Sequence, residues 1–282
     1  MVKFGPSGND RLFYEDGNTK TEQAFSWLKA LGLSAYEYSF GRGNFLSIET
    51  ATRIGEEAKA NGIEVSVHAP YFINFANPLD EFAVNGRNYL LNSLRNAKLM
   101  NGKRVVFHVG SVLKQERSVA LDLAKRRMSE FMQEFYDQGF DGYFICPETM
   151  GKFGQLGTVD EILELCKIDK AVIPTFDFGH INSLTQGSLD SKDAFRRVLE
   201  KGINEIGFEK MEKMHIHFSK IEYGSKGEIR HLTFEDKIYG PSFEHLAPVL
   251  HEFKLQPVVI CESSGTQSKD ALTMKRIYED AA

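Results

Sequence analysis

The sequence predicts an α/β protein whose strands close into a single (β/α)8 barrel. Short runs rich in β-branched and aromatic residues recur along the chain, and a longer amphipathic segment follows each run. Strict alternation of strand and helix indicates a parallel sheet with helical crossovers. A closed barrel of eight such units needs about 250 residues. The chain has 282 residues, so we expect residues 1–282 to form one TIM-barrel domain.

Hydrophobic periodicity sets the predicted boundaries of the elements. The strands are expected at residues 2–5, 35–39, 63–68, 104–109, 143–148, 172–177, 214–218 and 257–262. The helices are expected at residues 20–31, 47–61, 81–101, 115–138, 159–167, 191–206, 242–253 and 268–278.

Glycine and serine residues support these boundaries. Glycines 32, 62, 102 and 139 each come just after a predicted helix, where a left-handed C-terminal cap favours glycine. Serines 47 and 242 come at predicted helix starts and precede an early acidic residue. The chain contains neither GxGxxG nor GxxxxGK[ST], which disfavours a doubly wound sheet that binds a nucleotide through such a loop.

The composition indicates which partners and which cellular compartment to expect. The formal net charge of −5 argues against a nucleic-acid partner, but bound divalent metals would reverse the charge locally. The three cysteines are widely spaced and form no CxxC motif, so we expect buried, reduced thiols in a cytoplasmic protein. We expect neither a signal peptide nor a membrane span, because no apolar run is long enough.

The potential metal ligands collect at the predicted carboxyl ends of the strands, where the active site of such a barrel lies. Six consecutive strands each bring a His, Asp or Glu to this rim. The residues are His68, His108, Glu148, Asp177 with His180 just beyond it, His215 and His217 with Glu228 and His231 in the following loop, and Glu262. One such residue alone is more often structural, but a ring of them predicts a metal centre.

The ligand types indicate which metals are expected. Mixed imidazole and carboxylate ligands favour Zn, Mn, Fe or Co over Mg or Ca. The candidate ligands are too many for one ion, so at least two ions are expected, with Glu148 as the bridge between them. Two metals about 3.5–4 Å apart are a common device for phosphoester hydrolysis.

Several motifs resemble those of endonuclease IV, the metal-dependent apurinic/apyrimidinic endonucleases. They are VHAPYFIN, VVFHVGS, PETMGK, FDFGHIN, HIHFSK and the final CES, and the stretch PETMGKFGQLGT is similar to the archaeal branch. The resemblance implies a xylose-isomerase-like barrel with two to three Zn²⁺ ions, Mn²⁺ being a second option. It also implies base excision repair by a monomer, which would cut double-stranded DNA 5′ to an abasic site to leave a 3′-hydroxyl and would trim blocked 3′ ends.

The resemblance also implies a role for each ligand. It assigns His68 and His108 to the first zinc, Glu148 to the first and second, Asp177, His215 and Glu262 to the second, and His180 to the third. Glu148 is the expected catalytic residue, because it would hold the attacking water and could take its proton.

The chain departs from the family at the third zinc. The family usually completes that site with Asp-x-His, whereas Glu228 and His231 are separated by two residues here. His217 stands where the family usually has Asn, and we interpret it as a residue that supports a ligand or contacts DNA and not as a ligand itself.

Other residues match or suggest DNA contacts. Tyr71 stands where the family inserts an aromatic residue at the damaged site, and Arg42 is a second candidate in the loop SFGRGN. Lys220, Lys226 and Arg230 are predicted loop cations that could contact phosphates. Lys152 is another.

Two alternatives remain open. A sugar isomerase or epimerase with a single metal would use the same architecture, but His68, His108 and His180 would then be surplus as ligands. A non-catalytic binder of damaged DNA is the second alternative, although it would not need both Asp177 and Glu262. One bound ion per chain favours the isomerase, and two or three favour the nuclease.

Overall fold

The structure is a computed structural model that describes residues 1–282, and it confirms the predicted α/β barrel. Eight parallel strands form two four-stranded ladders, which isolated parallel bridges join at Ser7–Glu37 and at Glu148–Thr175. The strands are β1 (Lys3–Pro6), β2 (Ala35–Ser39), β3 (Glu64–His68), β4 (Arg104–Phe107), β5 (Gly110–Ser111), β6 (Phe144–Pro147), β7 (Gln155–Leu156), β8 (Thr175–Asp177), β9 (His215–Phe218), β10 (Ile221–Gly224), β11 (Gly227–His231) and β12 (Val258–Cys261).

The barrel consists of β1, β2, β3, β4, β6, β8, β9 and β12 in circular order. The helices are α1 (Arg11–Glu15), α2 (Ala24–Leu31, preceded by a 3-10 turn at Thr21–Gln23), α3 (Ile48–Asn61), α4 (Asp80–Leu99), α5 (Arg117–Asp137), α6 (Val159–Cys166), α7 (Phe178–Leu184), α8 (Lys192–Ile206), α9 (Phe208–Glu212), α10 (Phe243–Glu252) and α11 (Gln267–Asp280).

Every predicted strand and helix overlaps an observed one, and the structure adds short elements between them. The hairpin of β10 and β11 and the small ladder of β5 and β7 lie in loops at the carboxyl ends of the strands. Helix α7 begins immediately after β8, because the Asp177 side chain accepts a hydrogen bond from the backbone N–H of His180 and caps the helix. The TFDFGHIN segment is therefore a strand that passes directly into a helix.

Successive side chains along each barrel strand point alternately toward the surrounding helices and toward the barrel interior. On β9, Ile216 and Phe218 pack against the helices, while His215 and His217 face the barrel interior. The deep interior is apolar and contains small clusters such as Val106, Cys146 and Ile173. The polar interior residues lie above it, at the ends where the strands finish.

The three cysteines are free and buried, as expected. No helix is both long and apolar enough to span a membrane.

Candidate metal centre

Glu148 is at the centre of the imidazole and carboxylate cluster. Glu148 comes directly after β6, and its side chain is 1% exposed. One carboxylate oxygen, Oε2, lies 3.1 Å from His68 Nε2 and 3.2 Å from His108 Nε2. The other oxygen, Oε1, lies 3.0 Å from His217 Nδ1. Because its two oxygens face opposite sides, Glu148 can serve two ligand groups at once.

The first group consists of His68, His108 and Glu148. The Nδ1–H of His68 donates to the backbone carbonyl oxygen of Ala69 at 2.8 Å, which leaves Nε2 free to face Glu148. A backbone carbonyl on the far ring nitrogen is a usual support for a metal-binding histidine. The arrangement therefore suits a metal ligand.

The second group consists of Glu148, Asp177, His217 and Glu262. Asp177 is fully buried, and its Oδ1 caps α7 through the backbone N–H of His180 at 2.7 Å. Its Oδ2 is buried and accepts no hydrogen bond. The nearest imidazole nitrogen, His180 Nδ1, lies 3.3 Å from this oxygen without forming a hydrogen bond, and a buried carboxylate oxygen that accepts no hydrogen bond is costly unless a cation faces it. This unsatisfied oxygen therefore suits the second group to a metal ion.

The structure brings His217 into this second group, whereas His215, the expected ligand, lies in a separate group with Glu37 and His217. His217 is level with Asp177 in the β8–β9 register, whereas His215 is level with Thr175, one step deeper in the barrel. Two residues along a strand are separated by about 6.6 Å. His215 therefore pairs with the buried carboxylate of Glu37 at 2.9 Å instead of reaching the rim.

The third group consists of His180, Glu228 and His231, and it spans α7 and the β10–β11 hairpin. His180 Nε2 lies 3.4 Å from Glu228 Oε2, and His231 Nε2 lies 3.9 Å from Glu228 Oε1. His180 Nδ1 lies 2.9 Å from the Thr149 carbonyl oxygen, and His231 Nδ1 lies 2.8 Å from Ser219 Oγ. Both imidazoles thus present Nε2 to a common point.

A β-bulge explains how Glu228 and His231 share one face despite their unusual spacing. Residues three apart on a regular strand point to opposite faces. In the hairpin, Arg230 pairs with Glu222 and Glu228 pairs with the following residue of β10, so Ile229 has no partner. The extra residue restores the alternation. It also leaves the Ile229 side chain 58% exposed.

Deleting Ile229 is expected to preserve the third group. The deletion places Glu228 and His231 two residues apart in an unbulged ladder, where they again share a face. The number of metal ions bound per chain, measured by elemental analysis, should match that of the unaltered protein. Glu228→Ala is the matched control and should bind one ion fewer. Equal losses in both variants would contradict this role of the bulge.

Close backbone contacts hold the hairpin and α7 over the cavity. Gly227 has a φ of 92° and lies so close to the Gly151 carbonyl that a side chain at Gly227 would clash with it. The backbone N–H of Glu228 donates to that same carbonyl at 2.8 Å. A side chain at Gly179 would likewise meet the Ser219 carbonyl. A side chain at Gly151 would itself meet the side chain of Glu228, so close contacts explain the glycines of both the PETMGK and the FDFGHIN motif.

Buried carboxylates and imidazoles shift one another's pKa values in the cluster. Burial acts to raise the pKa of Glu148, but His217 and His108 beside it hold that pKa well below the usual range. Burial acts to lower the pKa of His217, but the carboxylates of Glu262, Glu37 and Glu148 raise it well above the usual range. The metal-free cluster therefore keeps charged groups that a bound cation would displace or pair.

His180 gives the metal-free protein a pH dependence. Burial acts to lower its pKa, but Asp177, Glu148 and Glu228 raise that pKa to about 10. A raised pKa stabilises the fold fully below the unfolded value of about 6.5, and this stabilisation is lost as pH rises to about 10. We expect the Tm of chelator-treated protein to fall across this window, and to fall less in His180→Gln. Parallel curves for the two proteins would contradict the assignment.

Six of the candidate ligands line a cavity of about 1000 Å³ at the carboxyl ends of the barrel strands, namely His68, His108, His180, Glu228, His231 and Glu262. Tyr71 stands at its mouth, 57% exposed, with its ring 5.4 Å from that of His108. Lys152 and Arg230 are exposed cations in its lining. Arg230 also pairs with Glu222 at 2.6 Å. The cavity therefore combines a polar, ligand-rich floor with an aromatic and basic mouth.

The other expected DNA-contacting residues occupy different environments. Arg42 and Lys226 are exposed, the latter at the tip of the hairpin. Lys220 is partly buried, and its Nζ donates to the Asp236 carbonyl oxygen at 2.6 Å. His217, expected to support a ligand or to contact DNA, is fully buried.

Sequence reasoning missed Glu37, which is fully buried on β2. The available signal was a carboxylate within the apolar run AYEYS, at a position that alternates with core residues. The supporting groups of Thr149 and Ser219 carry no sequence signal of their own, because the first contributes a backbone carbonyl and the second a common hydroxyl.

Comparisons with known proteins place the chain among related barrels. Residues 25–280 match the xylose isomerase-like TIM-barrel family. An uncharacterised protein of Methanocaldococcus jannaschii is 32% identical over 255 residues, which cover 90% of each chain. A probable endonuclease 4 of Malacoplasma penetrans is 27% identical over 219 residues, which cover 75% of this chain and 71% of the relative.

Solved structures with this fold include both nucleases and epimerases. Endonuclease IV from Thermus thermophilus superposes with a TM-score of 0.68 at 18% identity and 93% coverage of both chains. A D-tagatose 3-epimerase-like protein superposes with a TM-score of 0.69 at 24% identity and 88% coverage of both chains. At these identities the likeness shows the fold alone.

Proposed function

The chain belongs to the xylose isomerase-like TIM-barrel family, and within that family we propose that it is a metal-dependent endonuclease that acts at abasic sites in double-stranded DNA. It would hydrolyse the phosphodiester 5′ to the lesion, leave a 3′-hydroxyl and trim blocked 3′ ends. The observation that carries the proposal is the set of three ligand groups around one cavity, two of which share Glu148.

Each ligand group has a part in this proposal. Divalent ions, Zn²⁺ or Mn²⁺, held by the three groups would supply a water of lowered pKa and positive charge beside the phosphate. The residues involved are His68, His108, Glu148, Asp177, His217, Glu262, His180, Glu228 and His231. Glu148 would position the attacking water, because its oxygens face both the first and the second group.

The cavity suits a nucleotide displaced from the helix. Its volume of about 1000 Å³ accommodates a sugar-phosphate, and a missing base lowers the cost of extrusion. Tyr71 at the mouth could occupy the space left in the duplex. Lys152 and Arg230 lie where phosphates would approach, and the exposed Arg42 and Lys226 extend the basic rim.

A sugar epimerase is the second candidate, and one observation favours it. Glu148, Asp177, His217 and Glu262 form a complete set of ligands for a single ion. The epimerase-like neighbour matches the fold as closely as the endonuclease does. This candidate leaves the third group, with its bulged hairpin, without a role.

The test is cleavage of a labelled duplex that contains one abasic-site analogue. We expect the metal-loaded protein to cut 5′ to the analogue and to leave a 3′-hydroxyl that a polymerase can extend. A chelator should abolish cleavage, and an undamaged duplex of the same sequence should stay intact. No cleavage, together with metal-dependent epimerisation of a ketose, would replace the nuclease by the second candidate.

A further inference from the structure

Glu37 is a fully buried carboxylate directly beneath the second ligand group. Its Oε2 accepts a hydrogen bond from Ser66 Oγ at 2.8 Å and lies 2.9 Å from His215 Nε2. Its Oε1 lies 2.9 Å from His217 Nε2, and neither of these two atoms has another hydrogen-bond partner. Glu37 is thus anchored on one oxygen and directs the other at the imidazole of the ligand group.

The ring of His217 connects Glu37 to the rim. Its Nδ1 lies 3.0 Å from Glu148 Oε1 and 3.6 Å from Glu262 Oε2, so this nitrogen faces the other ligands. Its Nε2 faces Glu37. A histidine can bind a metal through Nδ1 only if that nitrogen carries no proton, and a carboxylate on the far nitrogen holds the proton there.

We propose that Glu37 is a positioning residue that orients His217 and keeps its Nδ1 available to a metal ion held by Glu148, Asp177 and Glu262. Ser66 and His215 fix Glu37 in turn, through its Oε2. This inference rests on the metal centre of the proposed function. It does not depend on whether the substrate is DNA or a sugar.

A separate ion bound by Glu37, His215 and His217 is a competing explanation, because the three side chains lie close enough to hold one. Two observations favour the positioning role. All three side chains are 0% exposed and none of them lines the cavity, so an ion among them has no visible entry path, whereas the second ligand group reaches the cavity through Glu262. In addition, Ser66 and His215 already engage one oxygen of Glu37.

Glu37→Gln tests the proposal with little change in shape. The amide can donate to His217 Nε2, which would favour the proton on Nδ1 and block the ligand. We expect competition with a chromophoric chelator to show Zn²⁺ affinity at one site falling about 10- to 100-fold. The visible spectrum of the Co²⁺-substituted protein should change as well, because the ligand set of that ion changes.

The matched control is Glu161→Gln, which neutralises another buried carboxylate. Glu161 bonds Arg117 and the backbone N–H groups of Gly157 and Thr158 and contacts none of the ligand residues, so this variant should lose thermal stability without changing metal affinity. If Glu37→Gln fails to fold, Ser66→Ala removes one support of Glu37. It should weaken the same site in the same direction by a smaller factor.

Unchanged Zn²⁺ affinity and an unchanged Co²⁺ spectrum in folded Glu37→Gln would overturn the inference and leave the metal centre standing. The loss of one bound ion in the single variant His215→Ala, compared with the unaltered protein, would also overturn the inference. It would favour the separate buried ion. If the unaltered protein binds no divalent metal, both the inference and the proposed function fail.

Discussion

Glu148→Gln is expected to lower cleavage of an abasic-site duplex by roughly 10²- to 10⁴-fold. The carboxylate faces His68 and His108 through one oxygen and His217 through the other, so its loss affects both ligand groups and the attacking water. DNA binding should persist, because the exposed aromatic and basic side chains at the cavity mouth are untouched. Single-turnover cleavage and a binding titration in the presence of chelator separate the two effects.

Glu161→Gln serves as the control for this experiment. It also neutralises a buried carboxylate, but one that caps α6 and pairs with Arg117 and not with any ligand residue. Cleavage by this variant should match that of the unaltered protein below its Tm. Near-normal cleavage by Glu148→Gln would rule out the role given to Glu148.

His217→Ala is expected to remove one metal ion per chain and to lower cleavage by a similarly large factor. The reason is its place in the β8–β9 register, level with Asp177 and 3.0 Å from Glu148. His215→Ala is the matched control one step deeper on the same strand. It should keep the ion count but bind that ion more weakly, because His215 also supports Glu37, and it should lose thermal stability because the buried charge of Glu37 becomes poorly paired.

Elemental analysis and melting curves of the two variants show which of the two histidines binds the metal ion. The reverse pattern, with the ion lost in His215→Ala and kept in His217→Ala, would restore the assignment that motif similarity alone favours. It would also contradict the strand register as the determinant of which histidine reaches the rim.

The barrel could be predicted from sequence because its signals are local. Short runs rich in β-branched and aromatic residues predicted all eight strands, and glycine and serine at the helix ends indicated the approximate limits of the helices. The rim location of the ligands followed from the same reasoning, since the carboxyl ends of parallel strands meet at one face. Helix α7 was not predicted, because a seven-residue helix beginning Phe-Gly-His has little helical signal before Asp177 caps it.

The depth of each ligand could not be predicted, because it depends on pairing between distant strands. His215 and His217 alternate onto the same face in any sequence reading, and only the register with β8 separates them. The role of Glu37 likewise needs β2 and β9 to face each other across the barrel. The bulge at Ile229 depends on how β10 and β11 pair, which no motif specifies.

The unusual spacing of Glu228 and His231 in the sequence does not keep their side chains from meeting in the structure. Their spacing differs from the Asp-x-His of the family that the chain resembles, yet both side chains meet His180 at one point. The bulged residue accounts for the difference in spacing. A longer spacing in sequence is therefore compatible with the same ligand arrangement.

The most direct test of the account is the number of divalent ions bound tightly per chain. Native mass spectrometry of the purified protein, calibrated by elemental analysis, measures this number without any assumption about the substrate. Three ligand groups around one cavity predict two or three ions. A single ion, bound by Glu148, Asp177, His217 and Glu262 alone, would contradict the multi-metal centre and favour a sugar epimerase.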